Sequence, residues 1–257
     1  MTTSMLKVIA ILLMLIDHMG AALFPEATIL RLIGRLSFPI FAYLIVVGYT
    51  KTKSFSKYLT RLTIFAGLSQ IPFSLAFGEN FSTLSFSDFL VFFVGGPNPH
   101  LNIFFTLALG LLAIRIWDKG EFTFGKIIAT LALGITAQVF STDYGIYGVA
   151  MILGFYVFRK SKIKTVISQI IVFTIFYASQ ILLIALSYEG VSIKLIWFNQ
   201  ALSLLALIFI FSYNGNKGKN LKYLFYAFYP VHLLVIGLVK IFMYVLFFIV
   251  NKNSLHM

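Results

Sequence analysis

Apolar residues in this chain come as long runs broken by short polar stretches. Residues 5–23, MLKVIAILLMLIDHMGAAL, are long enough to cross a bilayer as a helix, which takes about 20 mostly apolar residues, and they carry Asp17 and His18 inside the apolar body. A second run, 29–50, holds Arg31, Arg35 and Pro39, and the proline is expected to kink it. Further runs follow at 58–77, 102–117, 126–140, 146–158, 166–187, 193–211 and 223–250. The pattern predicts an all-α, polytopic membrane bundle of about nine helices (eight to ten), forming one domain over 1–257. Between 78 and 101, LSFSDFLVFF is too short to cross and is followed by GGPNPHLN, which predicts an interfacial or re-entrant element. The last run contains Pro230, so it is either one kinked helix or two halves, with His232 just past the break.

Composition sharpens this. With 60% hydrophobic and 11% charged residues the chain has too little polar surface to clothe a soluble globule. The absence of cysteine removes disulfides, thiolate metal sites and thiol nucleophiles. A net charge of +12 is no sign of nucleic acid, because the Lys and Arg residues sit in clusters between apolar runs, where they set topology. With the N-terminus in the cytoplasm, alternate loops gather Lys51, Lys53, Lys57, Arg61, Arg159, Lys160, Lys162, Lys164, Lys217 and Lys219. The opposite loops hold Glu26, Glu79, Asp88, Asp143 and Glu189. The expected location is the plasma membrane, multi-pass, with the N-terminus cytoplasmic and the C-terminus outside.

Ionisable residues at membrane depth are expensive and mark sites, so the first run is where chemistry is expected. Lys7 and His18 are eleven residues apart, on nearly one helical face and about 16 Å apart along the axis. A coenzyme A thioester resting its phosphates on Lys7 would bring its acyl carbon near His18, whose neutral imidazole suits a general base. The plainer readings are a flanking lysine reaching the interface and a packed histidine. Asp17 points about 100° away from His18 and is expected to pair with Arg31 or Arg35. No HxxxH spacing occurs, so no metal site is expected, and there is no nucleotide-binding glycine motif and no G-x-S-x-G elbow.

The blocks KVIAILLMLIDHMG, RLIGRLSFPIFAYLIVVGYTKTKSFSKYLTRLTIF, IPFSLAF, LNIFFTLALGLLA, TDYGIYGV and YLFYAFYPVHLLVI, in this order, resemble the TraX family of membrane proteins. That family is named for an enzyme that N-acetylates a conjugative pilin and is similar to a wider group of membrane acyltransferases. In that group a basic residue, ten positions and a histidine recur in the first helix, a spacing that Lys7 and His18 fit. The resemblance implies an acyltransferase moving an acetyl or other acyl group from acetyl-coenzyme A to an amine or hydroxyl of a pilin, secreted peptide or surface glycan. It supports a catalytic His18 and Lys7 on the donor; the reading of the polar positions adds Asp17 beside His18, Arg35 on the donor, and Asn102 and His232 on the acceptor. The chain departs from the family pattern at Val47, Gln70 and Ser74, where acidic residues are expected. A small-molecule transporter and a non-catalytic pilus or secretion assembly protein are the competing readings. The predicted topology places a reporter fused after Asp143 outside the cell; activity of that fusion in the cytoplasm would reverse the orientation.

Overall fold

The computed structural model describes residues 1–78, 100–186 and 200–254. Among these residues there are helices and no strands beyond an isolated bridge between Leu101 and Thr142. The helices are α1 (Thr3–Ala22), α2 (Thr28–Gly34), α3 (Ser37–Lys51), α4 (Phe55–Phe77), α5 (Ile103–Lys119), α6 (Thr123–Val139), α7 (Gly145–Val157), α8 (Lys162–Leu186), α9 (Ala206–Phe211) and α10 (Lys222–Ser254). A 3₁₀ turn, Leu202–Leu205, leads into α9. The re-entrant element expected within 79–99 and the start of the 193–211 run lie outside the described residues.

Four stretches have the length and apolar content to cross a membrane: Thr3–Ala22, Thr28–Lys51, Lys162–Leu182 and Tyr223–Leu246. Their outward faces are apolar. Ile163, Ile167, Ile170 and Ile175 are exposed along α8, and Val231, Leu234, Val235 and Leu238 along α10, surfaces that water would penalise and lipid does not. The interior is where polar groups collect, among them Asp17, His18, Gln70, Asn102, Thr106, Gln169 and His232. This inverted distribution is that of a membrane protein.

The core is a ring of helices. α1 packs on α3 and α10, α10 on α4, α4 on α5, α5 on α7, and α7 back on α3; α6 and α8 lie against α7. On α1 the buried residues Leu6, Ala10, Met14, Asp17 and His18 recur at three- and four-residue spacing, so one face of the helix, ending in the Asp-His pair, looks inward. The second run is two helices. Pro39 interrupts it as expected: its missing N–H leaves the carbonyl of Arg35, four residues earlier, without a helical donor, and the break falls at Arg35 and Leu36. Just past the break Ser37 Oγ donates to the Ala10 carbonyl at 2.9 Å. The last run is a single helix through Pro230.

Asn102 does not line the cavities described below. It is fully buried and accepts from Phe104 N at 3.1 Å as the N-cap of α5, while its Nδ2 donates to the Ala66 carbonyl at 2.7 Å and Gln70 Oε1 at 2.8 Å. Gln70 completes the joint by donating to the His100 carbonyl at 2.9 Å. Both side chains are engaged in tying α4 to α5, so the structure gives Asn102, expected as an acceptor contact, a place in the helix joint. Asn102→Ala is expected to cost about 2 kcal/mol through the lost cap and the orphaned Gln70, and Asn102→Asp to recover only the cap. Thermal unfolding in detergent measures the order; equal midpoints for all three proteins would remove this role.

Candidate active site

Two cavities lie within the ring. The first, about 240 Å³, is lined by Asp17 and His18 of α1, Arg31 of α2, Arg35 at the helix break, Phe73 and Phe77 of α4, and His100, Asp143, Tyr144 and Tyr229. The second, about 590 Å³, is lined by four cations, Lys7, Lys51, Arg61 and Lys217, together with Tyr58, Asn220, Phe225 and Tyr226, and no carboxylate is among its lining residues. Met14, Phe41, Ile103 and Tyr229 line both cavities, so the two meet at a constriction.

The histidine chamber is built by short-range contacts between α1 and α2. Arg31 Nη1 meets Asp17 Oδ2 at 2.6 Å and the Asp17 carbonyl oxygen at 3.1 Å. The expected Asp17 pairing is thus with Arg31. Gly34 makes the approach possible, since a Cβ there would lie 2.2 Å from the Asp17 Cβ. Arg35 stands at the break and, like Tyr144, lines the chamber, where the two interact electrostatically. His18 lines the chamber, and its Nδ1 lies 2.7 Å from Nε2 of His232. His232, expected as an acceptor contact, lies behind His18, on a groove between α1 and α10 and not among the residues that line the chamber.

Asp143 and Tyr144 enter from a turn that the sequence presents only as STDYG. The turn is stitched to the start of α5: Leu101 N donates to Ser141 O at 3.1 Å, Asp143 N to Leu101 O at 2.8 Å, and the Thr106 hydroxyl meets those of Thr142 at 2.9 Å and the Asp143 carbonyl. Ser141 and Tyr144 have φ of 45° and 67°, a backbone region that costs a non-glycine residue free energy and persists where the surroundings impose it. Here it turns Asp143 and Tyr144 into the chamber. Burial pushes the Asp143 carboxyl up to about 6, against the opposing pull of His100 and Arg35.

In the basic chamber Lys7 stands over the Phe225 ring at 4.7 Å. The segment after α9 crosses the N-terminus, with Thr3 N donating to Asn216 O at 2.8 Å and Ser4 N to Lys217 O at 3.2 Å. Lys51 Nζ bonds the Tyr213 hydroxyl at 2.7 Å and Gly215 O at 2.5 Å. Sequence spacing found Lys7; Lys51, Arg61 and Lys217 gave no motif, because they converge from the end of α3, the second turn of α4 and the segment after α9. Of the residues implied for the site, the fold brings Lys7 to one chamber, Asp17, His18 and Arg35 to the other, and leaves Asn102 and His232 outside both.

The model of a family described as TraX protein matches residues 2–240. A probable fimbrial assembly protein, FimC of serogroup H1 from Dichelobacter nodosus, is 31% identical over 248 residues, covering 93% of this chain and 95% of the relative. An uncharacterized protein of Rickettsia prowazekii (strain Madrid E) is 37% identical over 79 residues, 31% of this chain and 30% of the relative. No solved structure matches.

The Asp143 carboxyl gives a test of the chamber's electrostatics. A carboxyl held above its ordinary value binds its proton more tightly in the folded chain, so its stabilising contribution is whole below about pH 4 and is lost as pH rises through about 6. The unfolding midpoint of the purified protein is expected to fall across that window, and Asp143→Asn, which stays neutral, to flatten the fall and be the more stable protein at pH 7. Parallel pH curves for the two proteins would show that Asp143 titrates as an ordinary surface acid.

Proposed function

The chain belongs to the TraX family, and from that premise we propose that it is an integral-membrane acyltransferase carrying an acetyl or other acyl group from a coenzyme A thioester to an amine or hydroxyl of a pilin, secreted peptide or surface glycan. The observation that carries this reading is the pairing of a four-cation chamber with a histidine chamber through a shared constriction. A donor with phosphates at one end and a thioester at the end of a flexible arm matches that layout. Cations converging on an apolar-walled chamber bind phosphate oxygens by charge-assisted hydrogen bonds. Tyr58, Phe225 and Tyr226 offer faces for the adenine ring. With the N-terminus cytoplasmic, the basic chamber faces the compartment where the thioester is found, and the bundle comprises about nine crossings.

In this scheme His18 takes the proton of the acceptor as its nitrogen or oxygen attacks the thioester carbon. The carbon–sulfur bond then breaks, the acyl group stays on the acceptor, and the proton passes from the imidazolium to the departing thiolate. The Tyr229 hydroxyl is buried at the constriction without a protein hydrogen-bond partner among the described residues, a place from which it can donate to the oxyanion of the intermediate. Asp17 is held by Arg31 and acts by fixing the chamber wall. Arg35 lines the histidine chamber, so its place in this scheme is beside the reacting groups, with Lys7, Lys51, Arg61 and Lys217 on the phosphates.

The relative's name, a probable fimbrial assembly protein, favours a pilus-related acceptor and keeps a second reading in view, a non-catalytic part of pilus assembly. One assay separates the two. The chain has no cysteine, so thiol release from acetyl-coenzyme A is read without background from the protein, with a peptide bearing a free amino terminus as acceptor. The wild type is expected to release thiol; His18→Gln to fall by about a hundredfold or more; Lys7→Ala to raise the donor KM and leave kcat nearly intact. Thiol release that persists in His18→Gln would sink the mechanism, and no release from the folded wild type would favour the assembly reading.

A further inference from the structure

We propose that His232 is a positioning residue that fixes the tautomer of His18. The inference rests on the acyl-transfer reading above and follows from a chain of hydrogen bonds with one consistent direction. His232 Nδ1 lies 2.7 Å from the Phe228 carbonyl oxygen, and His18 Nδ1 lies 2.7 Å from His232 Nε2. A carbonyl only accepts, so His232 carries its proton on Nδ1. In a neutral His232, the form that costs least in an apolar bundle, Nε2 is then a lone pair, and His18 must be the donor through Nδ1–H. That leaves His18 Nε2 without a proton, the state a general base needs, in the chamber that His18 lines.

The surroundings hold the two rings in this geometry. They are nearly parallel, with centroids 5.0 Å apart and planes 7° apart, and His232 is stacked on Phe228 at 4.8 Å. Tyr229 meets His18 edge-on at 6.0 Å and His232 at 5.6 Å. When His18 takes a proton on Nε2, its Nδ1–H becomes a charge-assisted donor to the neutral His232, so the same bond steadies the imidazolium that the transfer step forms. The role is the one a carboxylate plays behind a catalytic histidine. A neutral acceptor does it here, where a third carboxylate would have to be buried beside Asp17 and Asp143.

The full-length protein in detergent, labelled with ¹⁵N in its histidine rings, reports the tautomer directly. Its spectra are assigned with His18→Gln and His232→Gln. The expected result is a His18 ring protonated at Nδ1. Kinetics on acetyl-coenzyme A then separate orientation from packing. His232→Phe keeps the flat ring but removes the acceptor, and is expected to lower kcat by about ten- to a hundredfold with the donor KM changed less than about twofold. His232→Gln, whose side-chain carbonyl can accept from Nδ1–H, is expected to restore kcat to within about threefold of the wild type. A His18 ring protonated at Nε2 overturns the proposal, as does an unchanged kcat in His232→Phe, or an equal loss in both variants with the His18 tautomer intact. The failure of the acyl-transfer reading looks different: the folded wild type would then release no thiol, or His18→Gln would still turn over, whereas the ¹⁵N spectra report the His18 tautomer in either case.

Discussion

The ion pair between Asp17 and Arg31 governs the geometry of the histidine chamber. A lone carboxylate on an apolar helix would be costly at membrane depth, and its partner must come from an element close enough to reach within a few residues of chain. The turn after α1 supplies it: α2 folds back so tightly that Gly34 touches the Asp17 side chain, and Arg31 closes on the carboxylate at 2.6 Å. The break at Arg35 and Leu36, one turn before Pro39, then brings Arg35 beside Tyr144 and lets Ser37 bond back to α1. One charge pair thereby fixes the wall on which His18 stands. Taking away one partner leaves the other buried and unpaired, which is far more costly than the pair itself.

Secondary structure was legible because a bilayer-length apolar run has few alternatives, and helices stand where such runs predicted them. The partner of Asp17 was legible too, because the residues available across one short turn are few. Other features depend on contacts that a linear pattern does not encode. Asn102 reads as a polar residue at the edge of a span, yet its hydrogen-bonding capacity is filled by Ala66 and Gln70, more than thirty residues back in the chain. Gln70, where the family pattern has an acid, therefore has a structural use of its own. His18 and His232 are 214 residues apart, and nothing local to either announces the other. Tyr144 was hidden in a turn motif, because its left-handed φ is set by bonds to Leu101 and Thr106 and not by its own residue type.

Inside a bilayer the hydrophobic effect does not drive one helix onto another, so packing and interhelical hydrogen bonds carry more of the association. The polar interior is distributed to match. Asn102 and Gln70 join α4 to α5, Ser37 joins α3 to α1, Tyr49 and Tyr156 both bond Asp118 and join α3 and α7 to the end of α5, and the histidine pair joins α1 to α10. Each such bond is worth about 0.6 to 2 kcal/mol in membranes. Their joint effect is to hold the ring closed around the cavities while α6 and α8 lie outside it.

Under the proposed acyl transfer, that division bears on how one chain could serve reactants from two sides of a membrane. A thioester is safe from water only where water is scarce, and the constriction of Met14, Phe41, Ile103 and Tyr229 is largely apolar. Phosphate groups too strongly hydrated to pass it would be retained among the four cations, and the pantetheine arm, long and weakly hydrated by comparison, is the part of the donor suited to go through. The arm would then bring an acyl carbon to the edge of the histidine chamber, where the base, a tyrosine hydroxyl and the Asp143 carboxyl converge from α1, α10 and the turn before α7. With His18 on α1 as the proposed base and His232 on α10 as its proposed orienting partner, the reactive geometry would be contingent on closure of the whole ring. A partly assembled bundle would lack the His18–His232 bond and, with it, the proposed means of keeping His18 Nε2 unprotonated.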